Sequence, residues 1–179
     1  MKVAPFGLPR DEIRRELEAL RHPFSVAIER AKNPFNIGAI VRTAHSFLAK
    51  EIVLVGSEPW YERAAMGMHR YETLVELPDA AALVARARAQ GQRLVVFERE
   101  AARVGLWEAE LPDGAVLVFG SEDAGVSAEL VAAADEVVAI PMFGINNSYP
   151  VTVAAGIAMA EWARRRYGGG RLVPAAPGG

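Results

Sequence analysis

The chain has 179 residues, a length that fits one domain, and it is 51% hydrophobic and 23% charged. This balance is typical of a globular protein with a sizeable core and excludes a disordered, collagen-like or coiled-coil protein. No stretch approaches the ~18 apolar residues of a membrane span, and the N-terminus lacks the apolar segment of a secretory signal. We therefore expect a cytoplasmic protein without a membrane partner. The absence of cysteine excludes disulfides, thiol nucleophiles and cysteine metal sites.

The net charge of -2 is unevenly distributed along the chain. Residues 161–179 sum to +3, from Arg164–Arg166 and Arg171 against Glu161, and residues 1–22 sum to +1. Two interpretations of the arginines stay open. They can complement the dipole of a helix end and keep the protein in solution, or they can bind the phosphates of a nucleic acid.

Helical and extended patterns alternate along the chain. Helices are predicted near residues 10–21, 36–48, 60–68, 79–90, 127–134 and 151–166, with a weaker one at 101–109. Strands are predicted at 24–29, 51–55, 73–77, 93–97, 115–119 and 136–140. Short apolar strands separated by helices are typical of a parallel sheet covered on both faces. We predict a single three-layer α/β domain at 23–167, a helical extension at 1–22 and a flexible Pro/Gly-rich tail at 168–179.

The first segment of interest follows a predicted strand directly. A polar turn leads into a helix whose first residues are Asn36 and Gly38, which makes a helix N-terminus suited to anions. Arg42 projects from the second turn of that helix. The same residues would also suit a plain helix cap and a surface charge, so this segment alone does not decide between the two.

Two further segments lie at predicted strand ends, where ligands of such sheets usually bind. Gly120 and Gly125 frame a tight loop that contains Glu122 and lacks both a P-loop and a dinucleotide-binding pattern. The other segment, 140–156, joins a strand end to a polar turn and a helix with small apolar residues. Pro150 suits the first position of that helix, and the helix itself fits a core or a subunit interface.

Taken together and in this order, the three segments resemble the motifs of the SpoU branch of the SPOUT superfamily, the ribose 2′-O-methyltransferases of tRNA and rRNA. The first motif is matched by Asn36, Gly38 and Arg42, the second by Gly120, Glu122 and Gly125, and the third by Ile140, Pro141, Met142, Gly144, Ser148 and Val151. The resemblance covers about residues 24–163.

The resemblance implies a parallel α/β fold with a deep C-terminal trefoil knot, which composition could not suggest. It implies S-adenosylmethionine as the cofactor and a homodimer with sites completed near the subunit interface. The helices after residue 36 and at 151–166 are the candidates for that interface. The residues implied in cofactor binding are Phe97, Gly120, Ile140, Met142 and Tyr149, with Glu98 as an alternative to Phe97.

The resemblance also implies four catalytic residues and no metal. Arg42 would orient the ribose 2′-hydroxyl and stabilise the developing alkoxide, because a guanidinium with a pKa above ~12 is a poor base. Asn36 would hold Arg42 or the ribose, and Glu122 would orient the arginine. Ser148 would contact the phosphate or ribose of the substrate.

One residue departs from the family pattern. The third motif usually has an asparagine where this chain has Pro150, so a catalytic amide is not carried over to that position, although Asn146 and Asn147 lie just upstream. The alternative function is therefore a catalytically silent, knotted RNA-binding or assembly protein. For an active enzyme, the expected partner is RNA, with tRNA favoured over rRNA because no large RNA-binding domain precedes the first predicted strand.

Overall fold

A computed structural model describes residues 8–30, 33–121 and 124–167 of the chain. The helices are α1 (Arg10–Glu18), α2 (Pro34–Ser46), α3 (Ala80–Ala89), α4 (Ala128–Ala133) and α5 (Val151–Tyr167). The strands are β1 (His22–Glu29), β2 (Ala49–Val55), β3 (Leu74–Leu77), β4 (Leu94–Phe97), β5 (Val104–Gly105), β6 (Ala115–Phe119) and β7 (Glu136–Ala139). The predicted tail at 168–179 lies outside the described residues.

The strands form one parallel sheet in the order β3-β2-β1-β6-β4-β7-β5. Strand β1 lies near the middle, where Ala27 pairs with Val53 of β2 and with Val118 of β6. Because all the strands run the same way, their carboxyl ends meet at one edge of the sheet. The prediction of a single α/β domain with a parallel sheet is confirmed.

Helices cover the sheet on both faces because successive strand residues point to opposite sides. Phe24, Val26 and Ile28 of β1 are buried with apolar residues of α2 and α5, including Trp162. Ala27 faces the other way and is buried with residues of α3 and α4. Each large side chain buried this way contributes about 1.5–3 kcal/mol of transfer free energy. The arrangement is the predicted three-layer order of helix, sheet and helix.

Two predicted helices are wrong. The helix at 60–68 is replaced by two short 3₁₀ turns, Glu62–Ala65 and Met68–Tyr71, because Met66 and Gly67 adopt positive φ angles of 50° and 82° that end a right-handed helix. The weak helix at 101–109 is absent, since Val104–Gly105 pairs with β7 as an edge strand. The other predicted elements are present with shifted ends.

The arginines at the end of α5 fasten this helix to the segment that precedes β6. Glu161, whose side chain is only 8% exposed, accepts hydrogen bonds from Arg164 at 2.7 Å and from Arg165 at 2.8 Å. Arg165 also donates to the carbonyl oxygens of Leu106 and Ala109. The guanidinium of Arg165 thus donates its hydrogen bonds to groups of its own chain.

Arg166 is used in a similar way. Its guanidinium donates to the Asp113 carboxylate and the Leu111 carbonyl, and its central carbon lies 3.8 Å from the ring centroid of Trp162. The structure thus favours the structural interpretation of Arg165 and Arg166 over phosphate binding. Arg171 lies outside the described residues.

The trefoil knot stays a prediction, because strand order and pairing describe neighbours and not the threading of the chain. Among the described residues, no helix is both long and apolar enough to cross a membrane.

Replacement of Glu161 by glutamine tests the ion pairs that hold Arg164 and Arg165 at the end of α5. The hydrogen bond from Arg164 is the largest cause that lowers the pKa of Glu161, to about 2; burial opposes this shift and Arg165 adds to it. A depressed folded pKa stabilises the protein above the ordinary value near 4.5 and loses that effect as the pH falls toward 2. We expect Glu161→Gln to lower the Tm by a few degrees at neutral pH, and the deficit to shrink in acid.

Thermal unfolding followed by circular dichroism at several pH values measures both effects. Glu58→Gln, at an exposed loop position after β2, is the matched control and should leave the Tm unchanged. A Glu161→Gln protein as stable as the wild type at neutral pH would contradict this role.

Candidate active site

A cleft of about 890 Å³ opens at the carboxyl edge of the sheet. It is bounded by the ends of β4, β6 and β7, by the segment 140–149 and by the start of α5. The lining includes all five residues predicted to bind the cofactor, namely Phe97, Gly120, Ile140, Met142 and Tyr149. Residues distant in the sequence are thus gathered at the edge where parallel sheets usually bind ligands.

The loop after β6 forms one wall of the cleft by turning back on itself. Ser121 and Gly125 exchange two backbone hydrogen bonds of 3.0 Å, and Gly125 adopts a φ of 68°. A Cβ atom at Gly120 would collide with the backbone of Gly125. Both glycines are therefore required for the backbone to come this close.

Two acidic residues at the strand ends fasten the exit of this loop. The Glu98 carboxylate accepts a 3.0 Å hydrogen bond from the Val126 N–H, and Glu29 at the end of β1 accepts one of 2.7 Å from the Ser127 N–H. Sequence reasoning considered Glu98 only as a cofactor ligand and missed Glu29. The sequence feature that could have revealed both residues is the position of each carboxylate at or next to the carboxyl end of a predicted strand.

The segment 141–149 forms the opposite wall and is closed by a side-chain contact. The Tyr149 hydroxyl donates a 3.1 Å hydrogen bond to the Pro141 carbonyl, which joins the two ends of the segment. Within it, the Asn146 amide donates to the Ser148 carbonyl at 3.3 Å. Ser148 is exposed and lines the cleft, so its hydroxyl is accessible to a substrate.

Asn36 lies beside the cleft on the first turn of α2. It is half-buried and lines a small cavity together with Gly120, Ser121 and Val151, which also line the cleft. The helix begins earlier than predicted, at Pro34, and its cap is Asn33, whose side chain accepts the Phe35 N–H at 3.1 Å. Asn36 is therefore free of the capping role considered for it.

Of the remaining two predicted catalytic residues, only Arg42 can be located, and it does not reach the cleft. Arg42 is exposed on α2 and lines neither cavity, and its guanidinium makes no hydrogen bond or ion pair within the described ranges. Glu122 lies outside the described residues. One chain thus brings the second and third segments together at the cleft. The first segment reaches only the small cavity beside it, through Asn33, Asn36 and Ile37.

The cleft combines an apolar floor with polar backbone edges. Phe97 and Phe119 stack with their ring centroids 4.9 Å apart and their planes at 14°. Side chains of both charge signs border it, with Glu98 near Arg99 and Arg103. No three His, Asp or Glu side chains are grouped to hold a metal ion in the part of the chain that the structure describes. The site is the cleft of a parallel α/β protein, and its size and mixed lining suit a mid-sized, partly apolar ligand.

Comparison with known proteins identifies the family. The family model of the SpoU rRNA Methylase family matches residues 23–160, so the chain belongs to this family.

Two relatives and one solved structure define the likeness further. The chain is 37% identical to a 23S rRNA (adenosine(1067)-2′-O)-methyltransferase of Streptomyces laurentii, over 92% of this chain and 60% of the relative. It is 30% identical to a tRNA (guanosine(18)-2′-O)-methyltransferase of Thermus thermophilus, over 90% and 84%. The SpoU methyltransferase AviRb of Streptomyces viridochromogenes, solved with AdoMet, aligns with a TM-score of 0.74 at 27% identity, over 84% of this chain and 60% of that one.

The contact between Tyr149 and Pro141 can be tested by removing one oxygen atom. Tyr149→Phe loses the hydrogen bond worth about 1 kcal/mol that closes the segment 141–149. We expect the affinity for S-adenosylmethionine to fall by about 3- to 10-fold, measured by titration calorimetry.

Tyr167→Phe is the matched control, because its ring stacks on His22 while its hydroxyl makes no hydrogen bond among the described residues. Equal affinities for wild type and Tyr149→Phe would show that this contact does not shape the cleft.

Proposed function

We propose that the protein transfers a methyl group from S-adenosylmethionine to a ribose 2′-hydroxyl of RNA. The observation that carries the proposal is the convergence of the three segments. Gly120 from the second and Met142 and Ser148 from the third line the cleft, while Asn36 from the first shares a smaller cavity with Gly120. Relatives named as RNA 2′-O-methyltransferases support the same reaction.

The cleft fits the proposed cofactor. Its volume of about 890 Å³ lies within the usual ~300–1,000 Å³ of ligand pockets, and the close contact of Gly120 with Gly125 leaves backbone groups at its edge. Phe97, Gly120, Ile140, Met142 and Tyr149 would hold S-adenosylmethionine. When bound, this molecule supplies an electrophilic methyl group on a positively charged sulfur.

Arg42 carries the proposed activation of the ribose. A guanidinium keeps its proton at neutral pH, so it acts here by donating hydrogen bonds to the 2′-hydroxyl oxygen. This orients the nucleophile and stabilises the negative charge on its oxygen as the hydroxyl proton passes to solvent water. The oxygen would form the new bond to the methyl carbon, and the electron pair of the broken bond between sulfur and that carbon would stay on the sulfur. Its exposed position on α2 allows an RNA phosphate to lie beside it.

The other proposed catalytic residues orient the reacting groups. Asn36 holds the ribose or Arg42 from the small cavity next to the cleft, and Ser148 contacts the ribose or phosphate from the opposite wall. Glu122 orients the arginine. Orientation of this kind lowers the barrier because the reacting atoms are held in line before reaction.

A homodimer would complete the site. Arg42 lies outside the cleft of its own chain, while α5 presents an accessible stripe of mostly small apolar residues at helical spacing: Val153, Gly156, Ile157 and Ala160. Helix α5 packs on α2, where a Cβ atom at Gly156 would lie 4.0 Å from the Thr43 methyl carbon. We propose that these two helices form the subunit interface and that Arg42 serves the cleft of the partner subunit.

For the RNA substrate we propose tRNA before rRNA. A relative named for tRNA aligns with 90% of this chain at 30% identity. The alternative function is a silent RNA-binding protein, which Pro150 in place of the usual asparagine favours. Pro150 precedes α5, and its carbonyl accepts the N–H groups of Val153 and Ala154.

The function is tested with unmodified tRNA and rRNA transcripts and labelled S-adenosylmethionine. We expect incorporation of the label into one RNA class. Binding of both RNA and cofactor without any transfer would select the silent alternative.

Arg42→Ala should reduce the rate of methyl transfer by about 10²-fold or more, because a donor to the developing alkoxide is lost. Affinity for S-adenosylmethionine should persist, since Arg42 does not line the cleft. Arg14→Ala, at an exposed position of α1, is the control for loss of a positive charge. Near-normal turnover of Arg42→Ala would refute the proposed role.

The interface is tested by placing charge on the stripe of α5. Val153→Asp together with Ala160→Asp should convert a dimer into monomers in analytical ultracentrifugation and abolish transfer, because buried unpaired carboxylates are costly.

The shared site is tested by mixing two variants that are inactive on their own, Arg42→Ala and the cleft variant Gly120→Ala. Activity should return in the mixture if the arginine of one subunit acts on the intact cleft of the other. A fully active monomer would rule out the shared site.

A further inference from the structure

Two aromatic side chains are exposed together at the start of α2. Phe35 exposes 56% and Tyr61 39% of its surface, and their ring centroids lie 4.9 Å apart at an angle of 54°. Exposed aromatic surface costs free energy in water, and phenylalanine has no special propensity for the first turn of a helix. Helix formation therefore does not explain why an exposed phenylalanine stands at position 35.

The backbone around this aromatic pair is held firmly. The Tyr61 N–H donates a 2.9 Å hydrogen bond to the Pro34 carbonyl, and the Asn33 side chain caps the Phe35 N–H. A Cβ atom at Gly38 would lie 2.6 Å from the Ala64 Cβ and 2.8 Å from the backbone carbonyl oxygen of Tyr61. The segment bearing Tyr61 thus packs directly on α2, and the pair is preorganised for a ligand.

The position of the pair relates it to the proposed chemistry. Phe35 precedes Arg42 by seven residues, which places both on one face of α2 about 10 Å apart along the axis. Both side chains are exposed, and Asn36, next to Phe35, borders the cleft region. Arg63, exposed beside Tyr61, adds a positive charge suited to a phosphate.

We propose that Phe35 and Tyr61 form a stacking platform for a nucleobase of the RNA substrate, in a nucleotide that flanks the one to be methylated. Unstacked bases pack on exposed aromatic rings in many RNA-binding proteins, and such contacts are tolerant of sequence because every base has a flat π-face. The proposal rests on the proposed function and adds a binding site outside the three motifs. The platform supplies affinity for RNA, while Arg42 supplies the chemistry.

The test separates the π-face of Phe35 from its apolar bulk. Phe35→Leu should raise the KM for the methylated RNA by about 5- to 100-fold, with kcat and the affinity for S-adenosylmethionine preserved. Tyr61→Leu should act in the same direction, and Phe35→Trp should restore the wild-type KM. Tyr167→Leu removes an aromatic side chain that is 45% exposed at the end of α5 and should leave the KM unchanged.

Fluorescence anisotropy with labelled, unmodified tRNA transcripts gives a readout independent of turnover. Loss of affinity in Phe35→Leu supports the platform even if no methyl transfer occurs. If the wild type binds and methylates RNA and Phe35→Leu behaves identically, the platform is wrong and the enzyme function stands. A Phe35→Leu protein that dissociates into monomers in ultracentrifugation would instead make Phe35 a subunit contact, and a wild type that binds no RNA would overturn both proposals.

Discussion

The cleft depends on the close backbone contact between Gly120 and Gly125. This contact lets the chain leave β6, turn back within a few residues and enter α4 without covering the carboxyl edge of the sheet. Glu98 and Glu29 then hold the exit of the turn by accepting the N–H groups of Val126 and Ser127. Three strands thereby contribute to one wall. A side chain at Gly120 would collide with the backbone of Gly125, and one at Gly125 with the Glu98 carboxylate, so larger residues at the two glycines would disrupt this wall.

The structure divides the proposed machinery into two parts. The part that would hold the cofactor is formed within one chain, by strand ends, the loop after β6 and the segment closed by Tyr149. The part that would act on RNA lies on α2, where Asn36 borders the cleft region and Arg42 points to solvent. A second subunit against α2 and α5 would join the two parts, which gives a physical reason for dimerisation in a protein whose cleft is already well formed.

Much of this architecture was predictable from the sequence because parallel strands buried on both faces are nearly continuous apolar runs. The loop after β6 and the segment from residue 140 stood out by their positions at strand ends, but the individual cofactor-binding residues followed only from the resemblance to the SpoU motifs. Local patterns failed where the conformation is set by particular backbone angles or distant partners. The positive φ angles of Met66 and Gly67 end the predicted helix at 60–68. The pairing of Val104 with β7 has no local signature. The strand-end position of Glu29 is visible in the sequence, but its partner Ser127, 98 residues away, is not. The capping role fell to Asn33, three residues before Asn36, because Pro34 begins the helix.

The most direct measurement of the central claim is the position of the methyl group on the product. Unmodified tRNA and rRNA are incubated with the protein and S-adenosylmethionine, digested to nucleosides and analysed by mass spectrometry. The account predicts a new 2′-O-methylnucleoside, with the added mass on the ribose, from a single RNA class. A methyl group on a base would contradict ribose activation by Arg42, and the absence of any product despite binding of the cofactor and RNA would contradict the enzymatic function itself.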